Sequence, residues 1–472
     1  MADRYDHIDL AIARALRDGR LSRRMLLRRG GAGAALFGTS AFLAACGIQP
    51  AASPSGSRAP SATPGATGTA SATATATASA SASATAAASA SASASPTESA
   101  TASPTESPSP TAAASPAGQL VWANWPLYID TDEEDKSKHP SIEAFKEETG
   151  IDVRYSENIS DNEEFFGTIQ PDLAAGRTPQ YDLIVMTDWM IAKMASLGYL
   201  EELNVANDVP NFTKNAAAPY RDPWFDKGNR YSVTYQAGIT GIGYNIKATG
   251  RELTSFEDLL DPKFKGKVGL FSEMRDTMSL ALLSLGIDPA QATVEQAQQA
   301  QQKLLQAAEG GQFRGFYGNE YTDELVNGNL VATVAWSGDV YQLALYDDPD
   351  LRFIIPKEGG MRWSDNLAIP KGAAHPVDAK AMMDYLYDVE VATMLSEWIG
   401  YFTPVEGVVD LVLQHSKEAE ADDDKEWADQ LKVIAETIVP TAEQLAQTHE
   451  YKNLTEDEER QWNELFNAVL QG

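Results

Sequence analysis

The segment from residue 51 to 117 limits which part of this chain can fold. It consists almost entirely of alanine, serine, threonine, proline and glycine, and it has no large apolar side chain. Such a segment cannot bury enough surface to offset the entropy lost on ordering, and its serines, threonines and prolines disfavour a helix. We therefore predict a disordered linker over 46–117, rich in hydroxyls and open to O-glycosylation. The folded part should begin near Gly118.

The segment before the linker has the features of an export signal. Residues 22–27 read SRRMLL, a weakly apolar run covers 31–45, and residues 43–47 read LAACG. The first resembles the twin-arginine export motif, and the last resembles a lipobox, in which the cysteine receives a diacylglycerol. Buried acyl chains contribute about 0.8 kcal/mol per CH₂ group, which holds a soluble protein at a membrane face. We expect 1–45 to be a signal and Cys46 to be lipidated, and the twin-arginine resemblance implies folding before export.

Cysteine content and charge exclude several classes of protein. Cys46 is the only cysteine, so neither an intramolecular disulfide nor a cysteine-based zinc cluster can form. The five histidines show no paired metal-binding spacing such as HExxH. With a formal net charge of −30, the chain is a poor partner for nucleic acid, and the charge suits either a cationic ligand or simple solubility. We predict no cofactor, no metal and no nucleic-acid partner.

Strands and helices alternate along the folded part, which favours an α/β fold of two lobes, with ligands bound outside the strand ends. Residues 181–186 are almost continuously apolar, as strands buried in a parallel sheet are. Asp188 is placed to cap the next helix and Gly198 to close it. The predicted strands are residues 120–125, 151–155, 181–186, 239–244, 268–271, 313–317, 330–336 and 366–370. The predicted helices are residues 142–148, 163–175, 189–196, 277–285, 294–308, 377–387 and 391–398.

No catalytic motif stands out in the chain. Residues 238–243 read GITGIG, whose glycines are in the wrong order for the dinucleotide fingerprint GxGxxG, and no Walker-type lysine follows them. No GxSxG sequence marks a nucleophilic serine. Paired acids are frequent, as expected at this composition, so no pair is singled out as catalytic. We predict that the chain is not an enzyme.

Aromatic and acidic side chains recur at or near the ends of the predicted strands. Each of them alone would more often fill the core or cap a helix. Their repetition at strand ends points instead to a cleft, where flat π faces and carboxylates suit a flexible cation. The aromatic residues are Trp125, Tyr128, Trp189, Trp336 and Trp363, and the acids are Glu273, Asp276, Asp339 and Asp365.

From about Gly118 to the C-terminus the chain resembles the periplasmic spermidine/putrescine-binding proteins of ABC importers. The most specific landmark is residues 359–370, which read GGMRWSDNLAIP. The other landmarks are Asn124-Trp125 with Tyr128, YDLIV at 181–185, residues 238–245, WSG at 336–338 and IGYFTP at 399–404.

The resemblance implies a two-lobe periplasmic-binding-protein type II fold with segment-swapped lobes and a hinge. It implies that one lobe comprises 118–237 and 364–405, and the other 238–363 and 406–472. A monomer of this kind captures a polyamine in the cleft between the lobes without changing it chemically. It then docks on a membrane permease driven by an ATPase. The protein would lie outside the cytoplasm, anchored through its lipid to the outer face of the cytoplasmic membrane, or in the periplasm.

The aromatic part of the site is implied residue by residue. Trp125 and Tyr128 match the aromatic wall of the family's site. Thr187 stands where the family often has serine, and Trp189 stands where it has tyrosine, so both keep the type of contact.

The acidic part is implied in the same way. Glu273 and Asp276 match a pair that binds a terminal ammonium, although the family order is often aspartate then glutamate. Asp365 matches the carboxylate that recognises an inner amine. Trp336 and Trp363 match tryptophans that stack along the methylene chain.

Three alternatives stay open at this point. A family glutamine near the C-terminus has no clear match around Tyr451 and Lys452, which leaves the ligand's length open. The same fold could bind another small solute or cation, and Arg275 and Arg362, beside the acids, leave even an anion open. A cell-surface interaction protein is the alternative from another class. It is suggested by the long linker and predicts no deep cleft.

Overall fold

The computed structural model describes residues 115–132 and 135–471. The predicted signal segment, Cys46 and nearly all of the predicted linker lie outside these residues. Within the two described ranges, no helix combines the length and the apolar character needed to span a bilayer.

The described residues form one mixed β-sheet of ten strands with helices packed around it. The strands are β1 (Gln119–Asn124), β2 (Asp152–Glu157), β3 (Leu183–Thr187), β4 (Ser232–Asn245), β5 (Val268–Phe271), β6 (Phe313–Tyr317), β7 (Ala332–Trp336), β8 (Leu351–Ile354), β9 (Gly360–Ala368) and β10 (Thr448–His449). Their order is β2-β1-β3-β9-β4-β7-β5-β6, with β8 beside β4 and β10 beside β9.

The helices follow the strands in the alternation that the sequence predicted. They are α1 (Pro140–Thr149), α2 (Asn162–Ala174), α3 (Asp188–Ser196), α4 (Val205–Asp208), α5 (Pro210–Asn215), α6 (Ile246–Thr249), α7 (Met274–Ser284), α8 (Val294–Glu309), α9 (Tyr321–Val326), α10 (Ser337–Tyr346), α11 (Pro376–Tyr385), α12 (Val389–Ile399), α13 (Val408–Ala421), α14 (Lys425–Thr437), α15 (Ala442–Ala446) and α16 (Glu456–Leu470).

Two parallel sets of strands meet at an antiparallel pair in the middle of the sheet. Strands β1, β2 and β3 are parallel on one side, and β5, β6 and β7 are parallel on the other. The pair β4 and β9 joins them. The first part of β4, from Ser232 to Thr240, pairs with β9, and the part from Thr240 to Tyr244 pairs with β7. The carboxyl ends of both parallel sets therefore face the same region, where α/β folds bind ligands.

Local sequence explains how two helices begin beside this region. Asp161 caps α2, because its carboxylate accepts hydrogen bonds from the backbone N–H groups of Glu163 and Glu164. This cap places Asn162 in the first turn, buried under the strand ends. Helix α7 begins directly after Glu273, which occupies its N-cap position. Both helices thus present polar side chains from their first turns to the same space.

The structure corrects three local predictions. The strand predicted for 366–370 is β9, which begins at Gly360 because it pairs with the long strand β4. Trp363 and Asp365 therefore lie inside a strand, not before it. Asp188 is the first residue of α3, and Thr187 holds the cap position without a side-chain cap bond. Gly198 does follow the end of α3 with a left-handed φ of 72°, as predicted.

The C-terminal third contains elements that the sequence did not indicate. Helices α13 and α14 pack against each other and against α12, whereas α16 packs against α7 and α8. Strand β10 adds to the start of β9, with Thr448 opposite Gly360. This pairing brings the segment that follows β10 back to the strand ends. The lobe boundaries given above stay a prediction.

Candidate ligand-binding site

One cavity lies at the strand ends, and its empty space, including the part open to solvent, amounts to about 390 Å³. Of the nine side chains predicted to bind the ligand, all except Trp189 line it. Its walls are aromatic, acidic and amide side chains. The lining residues are Trp125, Pro126, Tyr128, Asn162, Thr187, Glu273, Asp276, Asn319, Trp336, Asp339, Trp363, Asp365, Tyr401 and Tyr451. A cell-surface interaction protein would need no such cleft.

The aromatic side chains form a connected wall. Trp336 lies edge to face against Trp125, with ring centroids 5.8 Å apart, and against Trp363 at 6.5 Å. Trp363 in turn contacts Tyr401 at 5.8 Å, and Tyr401 contacts Tyr128 at 4.8 Å. These contacts hold each ring in place through its neighbours. The wall can therefore offer π faces to a cation without first being ordered.

The indole N–H groups of two wall residues are used inside the protein. Trp125 donates to the carbonyl oxygen of Val185 at 3.0 Å, and Trp363 donates to the hydroxyl of Thr240 at 3.0 Å. Both tryptophans are at most 8% exposed. They therefore contribute ring surface to the cavity, and their hydrogen-bonding capacity is already satisfied.

Two glycines make room for the wall. A Cβ atom at Gly238 would lie 2.6 Å from the Trp363 ring, and one at Gly338 would lie 2.2 Å from the Tyr401 ring. Real Cβ atoms do not approach that closely. The sequence GITGIG at 238–243, which fails as a nucleotide fingerprint, therefore begins with a glycine needed for packing.

Asp365 is the central carboxylate of the site. Its two oxygens accept hydrogen bonds from the Tyr128 hydroxyl at 2.9 Å and from the Thr187 hydroxyl at 2.7 Å. The Asn162 amide donates to the Thr187 oxygen at 2.8 Å, which orients the Thr187 proton toward Asp365. Burial raises the pKa of Asp365 to about 7, although the hydroxyls of Thr187 and Tyr128 act to lower it. The empty site therefore holds this carboxyl near the edge of ionisation at neutral pH.

Glu273 and Asp276 form a second acidic group at the start of α7. The Asn162 amide donates to Glu273 at 3.1 Å, and the Tyr451 hydroxyl donates to Asp276. Burial and the nearby Asp161 and Asp276 carboxylates raise the pKa of Glu273 well above its usual range. Burial raises the pKa of Asp276 to about 6. A cation placed between them would relieve both effects.

Asp339 is a fourth acid in the cavity, and it was not among the residues predicted to bind the ligand. It accepts hydrogen bonds from Tyr321 at 2.8 Å and from Tyr401 at 2.7 Å. Burial raises its pKa to about 6, with the two hydroxyls limiting the rise. Its position three residues after Trp336, in the first turn of α10, had placed it among the acids near strand ends, but the family resemblance assigned it no role.

The basic residues beside these acids point away from the cavity. Arg275 donates to Glu459 at 2.9 Å, and Arg362 donates to Glu450 at 2.7 Å. No lysine, arginine or histidine is among the residues that line the described cavity. Four carboxylates without a basic partner would repel an anion, so the arrangement favours a cationic ligand.

Trp189 is the predicted site residue that the structure does not bring to the cavity. Its ring is 2% exposed, and the Arg275 guanidinium lies over it, 4.0 Å from the ring centroid. A cation does cover this aromatic face, but that cation belongs to the protein.

Sequence reasoning also missed neutral residues of the site. Tyr451 stands near the position where no family match was found, and Tyr401 lies in the landmark at 399–404. Asn162 and Asn319 follow a helix cap and a strand, respectively, and short amide side chains at such places carry no distinctive signal. The buried carbonyl oxygen of Asn319 has no hydrogen-bond partner among the described residues, so it is available to a ligand donor.

Among the described residues, no group of three or more histidine, cysteine, aspartate or glutamate side chains is placed to hold a metal ion.

Comparison with known families identifies relatives of the chain. The family model described as bacterial extracellular solute-binding protein matches residues 141–428. A spermidine/putrescine-binding periplasmic protein of Haemophilus influenzae is 30% identical over 263 residues, which are 56% of this chain and 71% of that protein. A putrescine/agmatine-binding protein of Pseudomonas aeruginosa is 30% identical over 276 residues, or 55% and 72% of the two chains.

Solved structures are similar over the whole described part. An ABC-transporter protein of Listeria monocytogenes is 28% identical with a TM-score of 0.62, covering 75% of this chain and 99% of that chain. The substrate-binding protein of a spermidine/putrescine ABC transporter from Streptococcus pneumoniae is 25% identical with a TM-score of 0.56, over the same shares of the two chains. These likenesses confirm the predicted class of fold, a two-lobe periplasmic-binding-protein type.

Proposed function

The chain belongs to the bacterial extracellular solute-binding proteins, and from this premise we propose that it captures a polyamine, such as putrescine or spermidine, for an ABC importer. The observation that carries the proposal is the cavity itself. Four buried carboxylates face a wall of tryptophan and tyrosine rings, without a basic side chain among the lining residues. The relatives that bind polyamines by name support the same ligand class.

The geometry suggests how such a ligand is held. One ammonium group pairs with Asp365, whose carboxylate is already fixed by Tyr128 and Thr187. Another pairs with Glu273 and Asp276. The methylene chain between them lies along Trp336 and Trp363, where each cation–π contact contributes roughly 0.5–2 kcal/mol. An uncharged chain of the same length would leave the carboxylates unpaired, so the site selects amines by charge as well as by shape.

Lobe closure completes the site in this proposal. Trp125 and Tyr128 come from the chain before β4, and Glu273 and Trp336 come from the chain after it. Strands β4 and β9 connect the two parallel sets, so they are the natural place for a hinge. A ligand that touches both lobes binds the closed state better and shifts the population toward it. We propose that the closed monomer then delivers the ligand to a permease driven by an ATPase. We propose no catalysed step.

A calorimetric titration tests the ligand. The chain from residue 47 onward is titrated with putrescine, cadaverine, spermidine and spermine, and in parallel with amino acids, a phosphonate and divalent metal ions. We expect saturable binding of one or more polyamines and no heat from the phosphonate, because the carboxylates repel it. Binding of an amino acid or a metal ion without any polyamine would replace this proposal with the alternative of another solute or cation.

The anchor is tested at Cys46, which lies outside the described residues. In this proposal its thiol carries the lipid, so Cys46→Ala should abolish incorporation of a labelled fatty acid and move the protein from the membrane fraction to the medium. Polyamine binding by the released protein should equal that of the wild type, because the cavity is far along the chain from residue 46. A variant that stays labelled, or a wild type that never takes up label, would contradict the lipobox interpretation.

A further inference from the structure

Beside the cavity, four charged side chains from different parts of the chain form a network. Glu459 on α16 accepts from Arg275 on α7 at 2.9 Å with one oxygen. Its other oxygen lies 3.2 Å from the ammonium of Lys193 on α3. Lys193 also lies 4.0 Å from Glu163 on α2. Asn463, one turn further along α16, donates to Glu163 at 3.1 Å. Helices α2 and α3 thus both contact α16.

This network connects the two sides of the sheet. Helices α2 and α3 flank β3, within the β1–β3 set, and α7 directly follows β5, within the β5–β7 set. Helix α16 packs on α7 and α8, so it belongs to the second side. The contacts of Glu459 with Lys193 and of Asn463 with Glu163 therefore cross from one side to the other.

The Arg275–Trp189 pair crosses in the same place. The guanidinium carbon lies 4.0 Å from the centroid of the indole ring, and the Arg275 side chain is 6% exposed. The ring nitrogen of Trp189 and the Nε atom of Arg275 have no hydrogen-bond partner among the described residues. The terminal nitrogens of Arg275 donate to Glu459 at 2.9 Å and to the carbonyl oxygen of Lys452 at 3.1 Å, and these two bonds together with the stacking fix the pair. Cation–π contacts are strongest when desolvated in this way.

The electrostatics favour these contacts between the two sides. Burial would raise the pKa of Glu459, but Arg275 and Lys193 outweigh it and hold the pKa below its usual value. Glu459 is therefore ionised and shared by two cations, one from each side. Such partly buried ion pairs are screened less by salt than exposed ones.

We propose that Arg275, Trp189, Lys193 and Glu459 form a clasp that holds the cleft closed over its ligand, and that Trp189 acts through this clasp without touching the ligand. The inference rests on the proposed function, because it concerns the same cleft. It has a distinctive consequence. A residue that contacts the ligand changes the preference between ligands, whereas a clasp changes the stability of the closed state and so affects every ligand by the same factor.

The test uses Glu459→Gln, which keeps the shape of the side chain and removes both ion pairs. We expect putrescine and spermidine to lose affinity by the same factor, roughly tenfold, with the change in the dissociation rate and not in the association rate. Calorimetry gives the affinities, and stopped-flow tryptophan fluorescence gives the rates. Trp189→Ala should act in the same direction, and Trp189→Phe should restore most of the affinity, since a ring is restored under Arg275.

The matched control is Glu202→Gln. Glu202 pairs with Arg230 at 2.6 Å on one side of the sheet, with both side chains more than half exposed, so its loss should leave affinity and rates unchanged. Melting curves check that each variant is folded. If Glu459→Gln fails to fold, Lys193→Gln takes its place, because it removes the crossing pair at a side chain that is 26% exposed.

A distance measurement distinguishes an effect on the clasp from an effect on ligand contact. Spin labels at Glu164 on α2 and Gln298 on α8, both exposed, are placed in a Cys46→Ser background. Glu459→Gln should lengthen or broaden their distance distribution relative to the wild type. If Glu459→Gln leaves the dissociation rates and the distances unchanged, the clasp proposal is wrong. If Trp189→Ala lowers the affinity for one polyamine only, Trp189 contacts the ligand. A wild type that binds no polyamine would overturn the proposed function, and the ligand-free distances then decide on the clasp alone.

Discussion

Asp365→Asn should weaken polyamine binding by about tenfold or more while the protein still folds. The carboxylate is 5% exposed, and its oxygens are held by Tyr128 and Thr187. An ammonium group brought into this place without an ionised partner would be buried and unpaired, which costs several kcal/mol. Calorimetric titration of the variant with putrescine and spermidine measures the loss.

The matched control for this substitution is Asp188→Asn. Asp188 is also buried, and burial raises its pKa to about 7. It does not line the cavity, however, since its oxygens accept from the backbone N–H groups of Trp189 and Ser364. Removing this acid should change polyamine affinity far less than removing Asp365. Titration curves for Asp365→Asn that match the wild type would remove Asp365 from the site.

Polyamine affinity should also fall steeply as the pH is lowered from 8 to 5. Burial raises the pKa of Asp365 to about 7 and those of Asp276 and Asp339 to about 6 in the empty cavity. The ligand needs the ionised carboxylates, so binding must release the protons that these groups hold. For Asp365 alone the linkage gives a loss of about a hundredfold between pH 8 and pH 5. Titrations across this range, repeated in buffers of different ionisation enthalpy, measure both the affinity and the protons released.

The same pKa values fix the sign of the effect on stability. Because they are raised in the folded state, these carboxyls stabilise the ligand-free protein fully at acidic pH, and this contribution is lost as the pH rises through 6 to 7. A bound polyamine reverses the loss, so the rise in melting temperature on adding spermidine should be larger at pH 8 than at pH 5. Asp365→Asn should flatten the binding profile. An affinity that does not change between pH 8 and pH 5 would contradict the assignment of these acids.

The sequence predicted most of the strands and helices, because their apolar periodicity is local. It misplaced the start of β9, since residues 360–365 are drawn into a strand by pairing with β4, which lies more than a hundred residues earlier. No local pattern in GMRWSD reveals that partner. Helices α13, α14 and α16 were not assigned, although α13 and α14 pack against α12 and α16 packs against α7 and α8. Pairing between distant segments, not local propensity, decided the start of β9, whereas the unassigned helices carry a local signal in their apolar spacing.

In the candidate site, too, some residues could be predicted from the sequence and others could not. Residues at strand ends could be selected from the sequence, since the fold brings such ends together. Tyr451 could not, because it reaches Asp276 across 175 residues of sequence, through β10. Trp189 carries the right side chain at the right strand end, yet Arg275, from a distant helix, covers its ring. Which aromatic face stays free for a ligand is decided by tertiary contacts that the sequence does not display.

The glycines behind the aromatic wall restrict how this protein could evolve. Any side chain at Gly238 or Gly338 would clash with the Trp363 or Tyr401 ring, and that ring would have to leave its present position in the wall. Small substitutions at these two glycines therefore cannot widen or reshape the cavity gradually. A change of ligand is therefore expected to come from substitutions of the acids and of Tyr451, which donates to Asp276 from the C-terminal segment. Relatives with new ligands should keep both glycines even where they have lost the carboxylates.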